Sequence, residues 1–260
     1  MPELPEVENF RKYFEGTSLG QKIVDIEIDD PKLVKVPSDE FLQTLKGASF
    51  LSTDRIGKFF FARTSGEKVV VFHFGLTGKF HYFRDGDPPR FTRVLFHFDN
   101  GFKLSFINMR KFGWVDLTED ITDYQNRRGL GPDAQKISFE EFFDKFRKRK
   151  SILKPKLLDQ KLMAGVGNWI ADEILYQSRL HPESLIENLS DEDFKTIYEK
   201  MQHILDIAVK EEADFDRFPD YFFIHHRKDD GFCHHTGDAV VKIEVGGRGT
   251  YFSPNYQVKK

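Results

Sequence analysis

The apolar residues of this chain change their period partway along it, and that change limits the fold more than any other feature. Up to about residue 117 they alternate. Val24, Ile26 and Ile28 are separated by Asp25 and Glu27, and Val69–Phe74 and Val94–Phe98 are rich in β-branched and aromatic residues. Asp99-Asn100-Gly101, between Phe98 and Phe102, has the chemistry of a hairpin turn. From Ser138 the spacing becomes helical. Ser138 and Glu141 form a capping-box pattern ahead of Phe142, Phe143 and Phe146, and helices are expected over Lys154–Gln160, Asn168–Ser178 and Asp191–Glu211. Beyond Asp229 the period returns to two, with Ala239–Val245 and Thr250–Phe252 flanking Gly246-Gly247-Arg248-Gly249. The pattern predicts an α+β chain of two domains. An antiparallel β-sandwich over residues 1–118 opens with a helix that carries Val7, Phe10 and Phe14 on one face. A polar linker over 119–136 contains Gly129, Gly131 and Pro132. A helical domain over 137–228 follows, then a β-hairpin over 229–260.

With 260 residues the chain can bury one large core or two smaller ones. Its single cysteine, Cys233, excludes an internal disulfide and any zinc site made of several cysteines. No apolar run is long enough to cross a bilayer and no secretory signal is present, so no membrane association is expected. The formal net charge of −3 argues mildly against a nucleic-acid partner. Local charge argues the other way: between Lys145 and Lys161 lie Arg147, Lys148, Arg149, Lys150, Lys154 and Lys156, with few acids. Such a run is either a solvated helix face or a phosphate-binding surface.

The first residues, MPELPEVE, admit two readings. Pro2 with Glu3 and Glu6 suits the first turn of a helix. Alternatively, removal of Met1 before the small residue Pro2 leaves a secondary amine at the terminus. A terminal amine has a pKa near ~8 against ~10.4 for lysine, so more of it is neutral at pH 7. It can attack an electrophilic sugar carbon and hold it as an iminium, with the Glu3 carboxylate next in sequence for proton transfer.

Five further places have chemical potential beside an ordinary structural reading. Lys58 follows Gly57 at the start of an apolar strand. His73-Phe74-Gly75-Leu76-Thr77-Gly78 forms a tight loop that either projects Leu76 or folds it into the core. Asn108-Met109-Arg110-Lys111-Phe112-Gly113 offers an arginine that can hydrogen-bond a base and an aromatic ring that can wedge between bases. Gly165-Val166-Gly167-Asn168 precedes a helix, with Asn168 as a candidate N-cap and backbone amides open to a phosphate. At the tip of the last hairpin, Arg248 would point outward, suited to a bidentate phosphate contact. A separate cluster, His225, His226, Cys233, His234 and His235, is the one candidate for a structural metal or a metal-dependent enzyme. Adjacent histidines in a strand face opposite ways, which disfavours shared coordination.

Taken together, MPELPEVE, the Gly57-Lys58 pair, the two loops, Lys154-Pro155-Lys156-Leu157-Leu158-Asp159-Gln160 with Gly165–Glu173, and the Arg248 hairpin resemble the formamidopyrimidine-DNA glycosylase and endonuclease VIII family. The resemblance spans nearly the whole chain. It implies that the helical domain is a helix–two-turns–helix element ending in a finger, here a zincless β-hairpin because four cysteines are absent. It implies base excision repair of damaged double-stranded DNA by a monomeric glycosylase and lyase that needs no cofactor and no metal. Pro2 would be the nucleophile and Glu3 the proton carrier. Lys58 and Arg248 would act with them on phosphate and sugar. Lys154 and Asn168 would bind phosphates, and Leu76, Arg110 and Phe112 would fill the gap left by the flipped base. Glu6 would lie near the base pocket. Such a protein works inside the cell, wherever the DNA is. The family usually has Asp-Pro where Asn108-Met109 stands here, a departure that bears on the rigidity of that loop. A damage-binding module without chemistry is the rival expectation.

Overall fold

In the computed structural model, which describes residues 1–260, the chain separates into two units. One comprises Met1–Pro2 and Glu6–Arg128, the other Glu3–Pro5 and Gly129–Lys260.

The first unit is built on phenylalanine. Two four-stranded antiparallel sheets face each other, one in the order β1 (Ile23–Ile28), β6 (Thr92–Phe98), β7 (Lys103–Asn108), β5 (Gly78–Phe83). The other runs β2 (Phe50–Ile56), β3 (Phe59–Thr64), β4 (Val69–His73), β8 (Trp114–Thr118). Phe50, Phe60, Phe72, Phe96 and Phe106 from these strands share one core with Val7 and Phe14 of the first helix, α1 (Leu4–Ser18). The Phe14 ring lies 4.9 Å from Phe50 and 5.0 Å from Phe60, within the range of favourable aromatic contact. The expected turn at Asp99–Gly101 is present between β6 and β7, closed by the Gly101 N–H donating to the Phe98 carbonyl. A second helix, α2 (Ser38–Leu45), adds Phe41 and Leu45 to the same core.

Strand β4 is apolar on both faces, so the second sheet needs a cover on its outer side. Phe61, Val69 and Val71 point outward there and are packed by Ile121 and Tyr124. Those two residues belong to α3 (Ile121–Arg128), which forms within the stretch expected as a linker. Their spacing of three places both on one face of a short helix.

The second unit is helical, with α4 (Phe139–Phe146), α5 (Leu153–Leu157), α6 (Asn168–Gln177) and α7 (Asp191–Lys210). Ser138 caps α4 as its sequence suggests, accepting from the Glu141 N–H. A capping box between Ser190 and Asp193 starts α7. Every residue of α6 from Trp169 to Tyr176 is buried, which makes this helix the centre of the unit. Helix α5 stops at Leu157, short of the expected Gln160. Gln160 instead pins the turns that follow: its side chain donates to the carbonyls of Leu158 and Val166 and accepts from the Gly165 N–H. The last hairpin pairs β9 (Val241–Val245) with β10 (Arg248–Phe252). Its turn is the two residues Gly246-Gly247, both at positive φ, so Arg248 opens a strand instead of occupying the tip. No helix is long and apolar enough to cross a membrane.

Candidate active site and nucleic-acid interface

Glu3 is held firmly in place. It is buried, and its carboxylate accepts from the backbone N–H groups of Trp169 at 3.0 Å and Ile170 at 3.3 Å. These are unsatisfied donors of the first turn of α6, where a negative charge is favoured by the helix dipole. The N-cap position is Gly167, not the expected Asn168, and it has no side chain to serve as a cap. Glu3 takes that part from a distant point in the sequence. Pro2 is half-buried, Met1 is exposed, and α1 begins only at Leu4, so Pro2 and Glu3 precede the helix instead of forming its first turn. Glu6 lies within α1 and is partly exposed.

Lys58 shares with Gly57 the two-residue turn between β2 and β3 and is almost wholly buried, which departs from an exposed lysine at a strand start. His73, whose environment includes the Lys58 charge, has a role that local sequence does not signal. His73 stacks on Trp114 at 5.4 Å and lies 5.0 Å from Phe59. Burial, with the Lys58 and Arg128 charges, holds its imidazole down at about 4. Its Nδ1 accepts from the Gly75 N–H, so the neutral ring supports the start of the Leu76 loop.

The two loops expected to act together do meet. The Arg110 N–H donates to Thr77 Oγ1 at 3.1 Å. The Arg110 guanidinium lies 5.4 Å from the centre of the Phe112 ring, and Phe112 is 58% exposed. Leu76 is half-buried. Asn108, which replaces the family's aspartate, is fully buried and donates from Nδ2 to the Phe74 carbonyl at 3.0 Å. The Arg93 guanidinium donates in turn to the Asn108 carbonyl. The departure from Asp-Pro therefore leaves the loop tied down, by a side-chain amide in place of a proline ring.

Lys154 is placed against expectation. It has no exposed surface, and its ammonium pairs with Asp172 at 2.7 Å and donates to Thr250 Oγ1 at 2.6 Å. A lysine so enclosed cannot meet a DNA phosphate in this conformation; it holds helices and hairpin together. Burial pushes Asp172 up and Lys154 down, and the attraction between them opposes both shifts. Arg227 binds the other oxygen of Asp172 at 2.7 Å. The exposed cations of the basic run are Arg147, Lys148, Arg149 and Lys150, just past α4. Asn168 is half-exposed and donates from Nδ2 to the Gly249 carbonyl at 2.9 Å, with its Oδ1 unpartnered. Arg248, next to Gly249, is exposed. Asn168 and Arg248 thus flank one short stretch of backbone.

The histidine–cysteine cluster has another use. His225 and His226 lie in a single 3-10 turn, Phe223–His226, not in a strand. Cys233 is fully buried against the Tyr176 hydroxyl at 3.3 Å. His235 stacks on Tyr256 at 4.7 Å and on Tyr176 at 5.8 Å. No group of three or more His, Cys, Asp or Glu side chains is arranged to hold a metal ion. Glu173, fully enclosed, accepts from the N–H groups of Phe223 and Ile224, and burial pushes its carboxyl up to about 7.

Both halves of the chain have counterparts among known proteins. Residues 1–115 match the formamidopyrimidine-DNA glycosylase N-terminal domain, and residues 129–219 match the formamidopyrimidine-DNA glycosylase H2TH domain. A formamidopyrimidine-DNA glycosylase of Streptococcus pyogenes is 33% identical over 276 aligned positions, covering 100% of both chains. One from Arabidopsis thaliana is also 33% identical, over 99% of this chain and 71% of the relative. The Lactococcus lactis formamidopyrimidine-DNA glycosylase, solved non-covalently bound to DNA containing an abasic site, superposes with a TM-score of 0.90 at 28% identity over 99% of this chain and 100% of that one. The same enzyme bound to DNA containing N7-benzyl-Fapy-dG gives 0.91 at 27% identity, with the same coverage. With both halves of the chain matched and the Streptococcus pyogenes relative covered along its whole length, the chain belongs to the formamidopyrimidine-DNA glycosylase and endonuclease VIII family.

Proposed function

We propose that this protein is a bifunctional DNA glycosylase and abasic-site lyase. It removes oxidised or ring-opened purines, formamidopyrimidines in preference to 8-oxoguanine, from duplex DNA. The observation that supports this most directly is the fixed position of Glu3. A carboxylate held by two backbone N–H groups is rigid, and the covalently adjacent Pro2 can share its proton traffic. Once Met1 is removed, the Pro2 nitrogen attacks C1′ of the damaged nucleotide and the glycosidic bond breaks, releasing the base. Glu3 takes the proton that the attacking Pro2 nitrogen gives up and passes it to the sugar ring oxygen as the ring opens, the departing base takes a proton from solvent, and the C1′–N bond becomes an iminium. The iminium acidifies C2′, so loss of that proton expels the 3′ phosphate, and a second elimination expels the 5′ phosphate.

The remaining residues bind and hold. Lys58, Asn168 and Arg248 contact phosphates, with Lys58 also assisting sugar opening. Leu76, Arg110 and Phe112 take the place of the extruded nucleotide, the arginine facing the orphaned base. Lys154 serves from behind, as part of the scaffold. The short segment 215–230 folds into two 3-10 turns with Phe218, Phe222 and Phe223 buried, and it differs from the longer loop associated with 8-oxoguanine use in the family.

Borohydride trapping tests the reading. Protein whose mass shows Pro2 at the terminus should form a reducible adduct with duplexes bearing a formamidopyrimidine or an abasic site, and should release base and cut the strand on both sides. Pro2→Gly, or protein that retains Met1, should lose the adduct by at least about a hundredfold. No adduct from correctly processed protein, with DNA binding intact, would leave a damage-binding module.

A further inference from the structure

We propose that Thr250 is a positioning residue of the finger, whose hydroxyl links a buried ion pair to the backbone of Arg248. The inference rests on the reading of Arg248 as a phosphate contact. Asp172 pairs with the Lys154 ammonium at 2.7 Å, and that ammonium donates to Thr250 Oγ1 at 2.6 Å. The same hydroxyl donates to the Arg248 carbonyl at 2.9 Å. A hydroxyl is suited to this place because it accepts and donates at once. Thr250, Lys154 and Asp172 are all buried, so a link lost here leaves a buried polar group without its partner.

A two-stranded hairpin is marginally stable alone in water, and this one contains no cysteine for a metal ligand set. Its attachment to the helices comes from side chains. The Asn168 amide holds the Gly249 carbonyl at 2.9 Å. Gly246 seats against the Pro155 ring so closely that a Cβ there would stand 2.7 Å from Pro155 Cγ. The Arg227 guanidinium, paired with Asp172, lies 5.4 Å from the centre of the Tyr251 ring. Among these ties only the Thr250 hydroxyl reaches the backbone of Arg248 itself. The charge of Lys154 therefore acts on DNA indirectly, by fixing where Arg248 leaves the sheet.

The test is a double-mutant cycle read by fluorescence anisotropy. The probe is a duplex bearing a tetrahydrofuran abasic analogue, at constant salt. T250V keeps the shape and removes the hydroxyl, and it should weaken binding about tenfold; T250S should bind within about twofold of wild type. In an R248A background, T250V should change affinity by less than about twofold, because its effect passes through the missing guanidinium. Thr250→Ala replaces T250V if the valine variant melts below the assay temperature. The proposal is overturned if the hydroxyl-free variant binds as wild type, or weakens R248A as much as it weakens wild type. Failure of the underlying reading looks different: R248A itself would then bind as tightly as wild type.

Discussion

Glu3 occupies the space that a side chain on residue 167 would need. A Cβ built on Gly167 would stand 2.1 Å from the Glu3 carboxyl carbon and within 2.5 Å of both its oxygens. The helix that receives Glu3 therefore begins with the one residue that leaves room for it, and the proposed proton carrier and the N-terminus of α6 fit together as one unit.

Gly167→Ala should consequently damage stability and chemistry together. The methyl group forces the carboxylate off the Trp169 and Ile170 N–H groups. Loss of such charge-assisted bonds costs about 2–4 kcal/mol. Urea unfolding should show that loss, and borohydride trapping on abasic DNA should fall in parallel. A G167A protein with unchanged stability and adduct yield would show that Glu3 has another route to its place.

His73 sets an acid limit on stability. Its imidazole titrates near 4 in the folded protein against 6.5 for an unperturbed side chain. Between those values the unfolded chain binds a proton that the folded chain refuses. The stabilisation is therefore complete above about pH 6.5 and is lost as pH falls toward 4, with about 3 kcal/mol as its upper bound. Protonating Nδ1 also removes the acceptor for the Gly75 N–H. His73→Gln retains an acceptor without the titration, so the slope of unfolding free energy between pH 4 and 6.5 should flatten. An identical slope in the variant would assign the acid limb to other groups.

The paired loops offer a contrast between an exposed and a buried residue. Phe112, 58% exposed, contributes little to folding, and F112A should leave stability within about 0.5 kcal/mol. Its loss should lower affinity for a lesion-bearing duplex about tenfold, the scale of one base–aromatic stack. Asn108→Ala should do the reverse first. It removes one of the two donors to the buried Phe74 carbonyl, leaving only the Gly78 N–H, and costs about 1–2 kcal/mol, and DNA binding weakens because the loop loosens. Equal stability losses in the two variants would contradict this division.

Local pattern made much of this molecule legible, and long-range pairing marks where it stopped. The β-to-helix change of period, the Ser138 cap and the turn at Asp99–Gly101 depend on residues within a few positions of each other, and all three are present. Lys154 looks like a phosphate ligand in the sequence because nothing near it shows that an acid 18 positions on, Asp172, pairs with it. Asn168 suits the cap of α6 by local pattern for the same reason, whereas in the structure the first-turn N–H groups are met by residue 3. Helix α3 leaves little trace in the sequence because Ile121 and Tyr124 are isolated apolar residues in a polar stretch. Their role becomes visible only when the outer face of a sheet needs covering.

The finger yields the last prediction, because its core is aromatic. Tyr176 stacks on Phe223 at 4.4 Å and lies 5.1 Å from Tyr256, and its hydroxyl accepts from the His234 N–H. Truncating a side chain so enclosed removes several ring contacts and leaves a cavity, so Tyr176→Ala should cost about 3–5 kcal/mol. Weaker DNA binding should accompany it, since the sheet that presents Arg248 loses its backing. Tyr176→Phe keeps the stack and should cost only the hydroxyl's bonds, about 1 kcal/mol. Chelation should leave the melting temperature and strand cleavage of the wild type unchanged, because ring stacking and the Lys154–Asp172–Arg227 pairings do not depend on a metal. If a chelator lowered the melting temperature and zinc restored it, Cys233 and its histidine neighbours would have to be read as ligands, and the tolerance of Tyr176→Phe would no longer follow.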